Sequence, residues 1–346
     1  MSNNPYNVAI VGSGFGSLVH YPGYKLHPQF NPVVLIGKNE KKTKTISDKI
    51  GIESWSTDYT EVMQDEKIDV ISVVTPPKSH FKIVQSALNN GKHVICEKPL
   101  GMTAEETKQL KDLVDDTGLT AMMNFEHRFI PARAFFIELI NSGYLGDIYE
   151  FNISLKNATR LNPRLRGYNW WSDKKQGGGI LNAIGPVYLD LITQIFDKVQ
   201  EVKGCTTTHI KKRLNKQTGK MRKVTSDDAF TTLIKISDQI TGTLHVSSVA
   251  PFGKGNRIEF HGSDGYLSIL EDGKIMGAKL QSDNQPLELE IPKHHQLNQI
   301  QDEHPLVPPF LKILDIFASG ISKGSSPSPN FEDAHRIQKL MDKIRS

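Results

Sequence analysis

A glycine-rich turn near the start of the chain has the residue types that bind phosphate. The apolar run Val8 to Val11 leads into the sequence Gly12-Ser13-Gly14-Phe15-Gly16-Ser17. We expect Gly12 to allow a tight turn, Gly14 to let the backbone approach a pyrophosphate, and Ser17 to let the next helix lie close to the strand. The first amides of that helix would face the phosphates. The segment predicts a dinucleotide site formed by Gly12, Ser13, Gly14, Phe15 and Gly16.

The end of the second predicted strand indicates which dinucleotide binds. A strand from Val33 to Ile36 is followed by Gly37 and Lys38, whereas an NAD site commonly has an acidic residue there. A cation at Lys38 can neutralise a 2′-phosphate and offers no acceptor to a free 2′-hydroxyl. We therefore expect NADP(H), with NAD(H) as the alternative. The lysines that follow Lys38 are expected mainly on a solvated helix face.

Lys98 is a second candidate for chemistry. It stands between Glu97 and Pro99, directly after a predicted strand from His93 to Cys96. Ligands of open α/β sheets bind at the carboxyl ends of the strands, so a lysine fixed there by proline is well placed to meet one.

The elements that would position these residues alternate between short apolar strands and amphipathic helices from Val8 to Asn124, which is typical of a parallel sheet wrapped by helices. One helix is clearly marked, because Thr103 and Glu106 form a capping box and Gly118 closes it. The predicted strands are Asn7 to Val11, Val33 to Ile36, Val70 to Val74, His93 to Cys96 and Thr120 to Asn124.

The second half of the chain has a different pattern. Helices are predicted from Pro131 to Ser142, from Ile184 to Phe196 and from about Glu332, and the stretch from Pro292 to Pro309 is expected to be a surface loop whose histidines are solvated. Successive long strands indicate a mostly antiparallel sheet. Those strands are Ile148 to Leu155, Glu201 to Thr206, Ala229 to Ile236, Thr241 to Val249, Arg257 to His261 and Tyr266 to Leu270.

The predicted fold class is therefore α/β, with two domains. Residues 1–125 would form a doubly wound Rossmann domain. Residues 126–346 would form an α+β domain built on a large, open-faced, mostly antiparallel sheet, with the last helix packing back on the first domain. A chain of 346 residues exceeds what one ordinary core contains, which agrees with this division.

Composition excludes several classes of function. With 42 basic and 38 acidic residues, the net charge of +4 is too small and too dispersed for a nucleic-acid binder. No apolar run reaches membrane-spanning length. Two cysteines without metal-ligand spacing indicate a reducing compartment, so we expect a cytoplasmic protein, and we expect no metal site.

An ordered set of short motifs resembles the glucose-fructose oxidoreductase and inositol dehydrogenase family, Gfo/Idh/MocA. The matches run over nearly the full length of the chain. They are Gly12-Ser13-Gly14-Phe15-Gly16, Thr75-Pro76-Pro77 with His80, Glu97-Lys98-Pro99, Arg128-Phe129-Ile130-Pro131, Trp170-Trp171-Ser172-Asp173 with Gly177-Gly178-Gly179, and Gly262-Ser263-Asp264-Gly265.

The resemblance implies an NAD(P)-dependent oxidoreductase that transfers a hydride between the nicotinamide and a hydroxyl or carbonyl carbon of a sugar, polyol or sugar acid. Lys98 would be the main catalytic group, since a cation there stabilises developing alkoxide charge. It also implies homodimers or homotetramers that associate through the open sheet face. Cofactor contacts would come from the glycine turn, Lys38, Thr75, Pro76, Pro77, His80, Glu97, Lys98, Arg128 and Trp171.

The chain departs from the family pattern where a proton-transferring pair is expected. After the triple glycine the family commonly has Asp and, four residues later, His; here the two positions are Ala183 and Val187. Three explanations are open. In the first, Lys98 acts alone as acid and base. In the second, Tyr188 substitutes for the histidine expected at position 187, although a step of one residue turns a helical side chain by about 100°. In the third, the chain is a non-catalytic dinucleotide-binding regulatory or partner protein.

The substrate side is less clearly marked. Arg160, Arg164 and Arg166 precede a pair of tryptophans, and arginine forks bind carboxylate or phosphate, so one candidate substrate is an acidic sugar or a sugar phosphate. Basic residues in a loop are more often simply exposed. The residues predicted to contact a sugar-like substrate are Lys98, His127, Arg166, Asn182 and Tyr188.

Overall fold

The computed structural model describes residues 4–346, which divide into two compact units. Unit 1 comprises the described residues up to His127 together with Leu297–Gln338, and unit 2 comprises Arg128–Gln296 with Lys339–Ser346. Among the described residues, no helix is long and apolar enough to span a bilayer. The sequence-based boundary at residue 125 lies two residues before the end of the first segment, but Leu297–Gln338 groups with unit 1 rather than with the residues before it.

The helices and strands are numbered in chain order. The helices are α1 Tyr21–Leu26, α2 Glu40–Ile50, α3 Tyr59–Gln64, α4 His80–Asn89, α5 Ala104–Thr117, α6 Pro131–Asn141, α7 Ile180–Ile195, α8 Val307–Lys323 and α9 Phe331–Arg345. The strands are β1 Tyr6–Val11, β2 Phe30–Ile36, β3 Ser54–Ser56, β4 Val70–Val73, β5 His93–Cys96, β6 Ala121–Met123, β7 Ile148–Lys156, β8 Glu201–Thr207, β9 Lys212–Leu214, β10 Met221–Lys223, β11 Ala229–Lys235, β12 Thr241–Ser247, β13 Gly255–Gly262, β14 Gly265–Ile269, β15 Ile275–Lys279 and β16 Leu287–Leu289.

Unit 1 is built on a parallel sheet of six strands in the order β3-β2-β1-β4-β5-β6. The central strands β1 and β4 are almost completely buried, because helices cover both faces of such a sheet. The order reverses direction between β1 and β4, and the carboxyl ends of these strands are where ligands of doubly wound sheets bind. The predicted Rossmann architecture is confirmed.

The predicted caps of α5 are confirmed in part, because the Glu106 carboxylate accepts the Met102 amide at 2.6 Å rather than the Thr103 amide. Thr103 accepts a hydrogen bond from the Glu106 amide at 3.2 Å, and Gly118 ends the helix in the left-handed conformation. Both groups satisfy backbone atoms that a helix end leaves unpaired.

Unit 2 contains an eight-stranded sheet in the order β16-β15-β14-β13-β7-β12-β11-β8. All neighbouring strands are antiparallel except β7 and β12, which run parallel. Phe151 of β7 stacks on Phe260 of β13 at 5.2 Å between ring centroids, in a core that these strands share with α6 and α7. This confirms the predicted mostly antiparallel sheet.

Some element boundaries were predicted wrongly. The stretch from Pro292 to Pro309 is not loop throughout, because α8 begins at Val307 with Pro308 and Pro309 in its first turn, where a missing amide costs no helical hydrogen bond. Helix α7 begins at Ile180 rather than Ile184, directly after the triple glycine. Short strands β3, β9, β10, β15 and β16 were not predicted.

Candidate functional site

The glycine turn follows β1 in unit 1 and has three sterically distinct glycines. Gly12 has φ of +128°, and a Cβ there would lie 2.2 Å from the Val74 carbonyl oxygen, so only glycine fits. A Cβ at Gly16 would lie 2.9 Å from Ile10. A Cβ at Gly14, by contrast, would meet no protein atom within 4 Å. The turn is therefore closed by Gly12 and packed at Gly16, and it leaves open space beside the Gly14 backbone.

This open space fits a pyrophosphate, which needs close approach to backbone amides. A close contact with β1 is made at Gly16, one residue before the Ser17 that the sequence predicted for this role. The Ser17 hydroxyl donates to the Ser13 carbonyl at 2.9 Å and to the Gly14 carbonyl at 3.0 Å. Ser17 therefore stiffens the turn.

Residues Gly16–His20 form a single π-helical turn before α1, and this turn directs His20 into the protein. His20 is fully buried and lies between two polar partners: its Nδ1 is 2.8 Å from the Ser72 hydroxyl and its Nε2 is 3.1 Å from a carboxylate oxygen of Glu97. Asn124 donates to the same Glu97 oxygen at 2.6 Å. Isolated π-turns are rare and occur often at functional sites.

Glu97 is thus held from several sides. Its burial would raise the pKa, but hydrogen bonds and charge from His20, together with Lys98 and Asn124, outweigh burial and hold the pKa of Glu97 below its usual value. Lys98 is partly exposed, and its backbone amide donates to the second Glu97 oxygen at 3.3 Å. A buried carboxylate therefore fixes the backbone that carries Lys98 at the carboxyl end of β5.

His80 connects the loop that follows β4 to the loop that contains Lys98. Its Nε2 lies 2.7 Å from the Thr75 carbonyl oxygen and its Nδ1 lies 2.7 Å from the Pro99 carbonyl oxygen. The ring is fully buried, and burial lowers the pKa of His80. His80 therefore lies beneath the two loops, while Thr75 and Pro76 are partly exposed above it.

Lys38 is exposed just beyond the carboxyl end of β2. The next residue, Asn39, uses its side chain to accept the Lys42 amide at 2.9 Å and so caps α2. Gly37, Lys38 and Asn39 follow this strand end, so the residue position that commonly carries an acid has none, as the sequence indicated.

At the start of unit 2, Arg128 forms a two-pronged ion pair with Asp190 of α7. Its Nε is 2.9 Å from one carboxylate oxygen and its terminal nitrogen is 2.5 Å from the other. Arg128 was predicted to contact the cofactor, and in the structure its guanidinium pairs with this carboxylate of α7. His127, at the end of the first segment of unit 1, is partly exposed with its Nε2 3.9 Å from Glu126.

Helix α7 carries the positions of the expected proton-transferring pair. Ala183 is partly exposed and Val187 is buried. Asn182 is buried too; it donates to the Gly177 carbonyl at 3.0 Å and accepts from Arg345. The Tyr188 hydroxyl donates to Asn256 at 2.6 Å, and burial raises the pKa of Tyr188 to about 12. Both side chains thus already have hydrogen-bond partners within unit 2.

Unit 2 also contains a cavity of about 370 Å³ beside the first turns of α7. The Arg160 guanidinium lies 4.8 Å from the centroid of the Trp171 ring at its wall. Burial, together with the charges of Arg213 and Arg166, lowers the pKa of Arg160 to about 10. The other residues that line the cavity are Leu155, Asn157, Thr159, Arg166, Asn169, Ile180, Ile184, Val246, Ser247 and Ser248.

Comparison with known proteins identifies the family. Residues 6–125 match the oxidoreductase family with an NAD-binding Rossmann fold, and residues 136–268 match the GFO/IDH/MocA C-terminal domain. The chain belongs to the Gfo/Idh/MocA oxidoreductase family. It is therefore an NAD(P)-dependent oxidoreductase of the dehydrogenase type, as its motifs implied.

Relatives of this Gfo/Idh/MocA protein cover almost its whole length. An uncharacterised oxidoreductase of Synechocystis is 25% identical over 99% of this chain and 94% of its own. Levoglucosan dehydrogenase of Pseudarthrobacter phenanthrenivorans is 26% identical over 98% of this chain and 95% of its own. A solved structure of levoglucosan dehydrogenase in complex with NADH and levoglucosan superposes with a TM-score of 0.88, at 24% identity and with coverage of 99% and 96%. The last comparison supports the fold.

Several residues around the site were not identified from the sequence. His20, Ser72 and Asn124 are far apart along the chain, and a lone buried histidine carries no local signal that distinguishes it from an ordinary core residue. Arg213 is also buried; it donates to the backbone carbonyls of Arg160 and Arg166 at 2.7 and 3.0 Å and so shapes the loop beside the cavity. In each unit, it is the fold that brings these residues to their partners.

Proposed function

We propose that this protein transfers a hydride between NADP(H) and a hydroxyl or carbonyl carbon of a sugar, polyol or sugar acid, with Lys98 as its main catalytic group. The observation that carries the proposal is the placement of Lys98 at the carboxyl end of β5, on a backbone fixed by the buried Glu97. The glycine turn lies at the carboxyl end of β1 in the same sheet. Ligands of such sheets bind along this edge.

The nicotinamide, when bound, supplies the hydride chemistry, and the chain supplies binding and charge. The amides beside Gly14 would hold the pyrophosphate. The Lys98 ammonium would stabilise negative charge on the reacting substrate oxygen and exchange a proton with it. His20 and Asn124 would act through Glu97, because they hold the carboxylate that fixes the Lys98 backbone.

The preference for NADP(H) is supported by Lys38. This exposed cation follows the carboxyl end of β2, could neutralise a 2′-phosphate there, and is followed by Asn39, whose side chain caps α2. NAD(H) is the alternative, since the levoglucosan dehydrogenase structure contains NADH.

A sugar-like substrate is supported by the relatives. One is named for levoglucosan, and a Bacillus subtilis relative is named scyllo-inositol 2-dehydrogenase. In the cavity of unit 2, Trp171 offers a face on which a sugar ring can stack, and Arg160 and Arg166 favour a substrate that carries a carboxylate or phosphate.

A second candidate function follows from Ala183 and Val187, which cannot carry a proton. The protein would then bind the dinucleotide without turnover and act through a partner. The two candidates differ in whether Lys98 supports turnover.

The test is to follow nicotinamide absorbance with a panel of sugars, inositols and sugar acids, for wild type, Lys98→Ala and Lys82→Ala. Lys82 is an exposed lysine on α4 and serves as the matched control. We expect turnover by wild type and by Lys82→Ala, and its loss in Lys98→Ala with retained dinucleotide binding. Equal turnover in Lys98→Ala would overturn the role of Lys98, and tight binding without any turnover would favour the second candidate.

We also propose that copies associate through the open sheet face of unit 2. Leu233 of β11, Thr243 of β12 and Asn152 of β7 are side by side in register, and Leu233 is 56% exposed. Light scattering should give a dimer or tetramer, and Leu233→Glu should shift it toward monomer.

A further inference from the structure

Three side chains that commonly bind metals converge on the surface of unit 2, outside the proposed catalytic site. His294 and His295 both direct Nε2 at the same carboxylate oxygen of Glu138, at 2.9 and 2.6 Å. One ligand atom from each residue lies within 4.8 Å of the others. The two imidazole rings are 4.2 Å apart between centroids.

The backbone on both sides of this cluster is ordered by its own hydrogen bonds. Glu138 lies on α6, one turn after the buried Phe135. The two histidines lie on a 3-10 turn that follows Pro292 and is closed by the His295 amide on the Pro292 carbonyl at 3.0 Å. The His295 ring packs 5.8 Å from Phe135 and its side chain is only 16% exposed. The His295 ring and the helical backbone that carries Glu138 are therefore held in place before any ion binds.

Elsewhere in unit 2, a histidine pairs with a carboxylate in a different arrangement from that of the Glu138 cluster. Asp228 binds one imidazole, that of His209, and its oxygens also accept the backbone amides of His209 and Ile210. That carboxylate is buried and structural. In contrast, one surface oxygen of Glu138 contacts two imidazole rings. A single ion pair needs only one ring, whereas two rings and a carboxylate together suit a shared cation.

We propose that Glu138, His294 and His295 bind one divalent transition-metal ion of the zinc class, with water in the remaining coordination positions. Two imidazole nitrogens with one carboxylate oxygen is a donor set found in protein zinc sites, with metal–ligand distances of about 2.0–2.2 Å. Both contacts must lengthen to make room for the ion, and the side chains of His294 and Glu138, which are 62% and 47% exposed, can rotate to allow this. Imidazole ligands select this class of metal over Mg²⁺ and Ca²⁺, which prefer oxygen.

The consequence of binding would be structural. The chain leaves unit 2 after Gln296, directly beyond the two histidines. A bound ion would tie this exit segment to α6 and stabilise unit 2 by an amount that rises with the logarithm of the free ion concentration once this exceeds the dissociation constant. This role is independent of hydride transfer, so its test does not use activity.

The experiment is a calorimetric titration of the tag-free, chelator-treated full chain with ZnCl₂ at neutral pH. His294→Ala is the main variant, because this exposed side chain contributes little packing, and Glu138→Gln keeps the shape while removing the charge. His209→Ala is the matched control, since it removes a histidine paired with a carboxylate outside the cluster. Circular dichroism without metal checks that each variant is folded.

We expect one ion per chain in wild type and in His209→Ala, and affinity lower by at least about tenfold in His294→Ala and Glu138→Gln. Zn²⁺ should raise the melting temperature of wild type, and MgCl₂ at the same concentration should not. The proposal is overturned if wild type shows no one-to-one binding, or if His294→Ala and Glu138→Gln bind Zn²⁺ as wild type does.

Discussion

Replacing Gly14 with alanine is expected to weaken dinucleotide binding without destabilising the fold. A Cβ at this position meets no protein atom within 4 Å, and the Gly14 φ lies outside the left-handed region. The substitution should therefore leave the free energy of unfolding unchanged or raise it by up to about 1 kcal/mol, through the unfolded chain. The added methyl group occupies the space that the pyrophosphate needs.

The expected loss of affinity follows from the contact that is blocked. An amide hydrogen bond to a charged phosphate contributes about 1.5–3 kcal/mol, which corresponds to a dissociation constant roughly 10- to 150-fold higher. Titration of NADPH followed by its fluorescence measures this change, and urea denaturation measures stability. Unchanged NADPH affinity in folded Gly14→Ala would refute the placement of the pyrophosphate.

Gly12→Ala is the contrasting variant. Its φ of +128° strains alanine, and its Cβ would lie 2.2 Å from the Val74 carbonyl oxygen. Backbone strain alone costs about 1–3 kcal/mol, so this variant should lose stability as well as binding. If the two variants lose the same stability, the steric distinction between the two glycines is wrong.

Three further predictions concern single side chains. Lys38→Ala should weaken NADPH binding by roughly tenfold or more and leave NADH binding nearly unchanged, since only the 2′-phosphate contact is lost; equal losses in fluorescence titrations would contradict the role of Lys38. Because the pKa of Glu97 is depressed, its carboxylate stabilises the fold above the ordinary glutamate pKa of about 4.3, and this stability is lost as pH falls through the lower folded value. In urea melts below about pH 5, Glu97→Gln should therefore lose less stability with falling pH than wild type does, and an equal loss in both proteins would contradict the assigned pKa shift. Arg160→Ala should raise KM for an acidic substrate more than for its neutral analogue, as measured by initial rates, and a uniform effect would remove the case for anion recognition.

Local signals explain the parts of the fold that the sequence predicted. The capping box of Thr103 and Glu106 specifies α5 because the capping bonds form within one turn. The strands β1, β4 and β5 were recognised from short β-branched runs between helices. Helix α8 was not predicted, because Pro308, Pro309 and His304 resemble a loop, although prolines are compatible with a first turn.

The candidate site could be predicted only where a motif is contiguous. Glu97 and Lys98 follow one strand and were found, whereas His20 is 77 residues away from its partner Glu97 and became visible only through the π-turn. Arg128 was predicted to contact the cofactor, and its ion pair spans 62 residues to Asp190. Pairings at such distances depend on tertiary packing, which no local pattern encodes.

The central claim is that the glycine turn of unit 1 binds a nicotinamide dinucleotide. Calorimetric titration of the folded protein with oxidised and reduced NADP and NAD tests it most directly. We predict one binding site per chain, with tighter binding of NADP(H) than of NAD(H). Absence of binding for all four dinucleotides by folded protein would contradict the account.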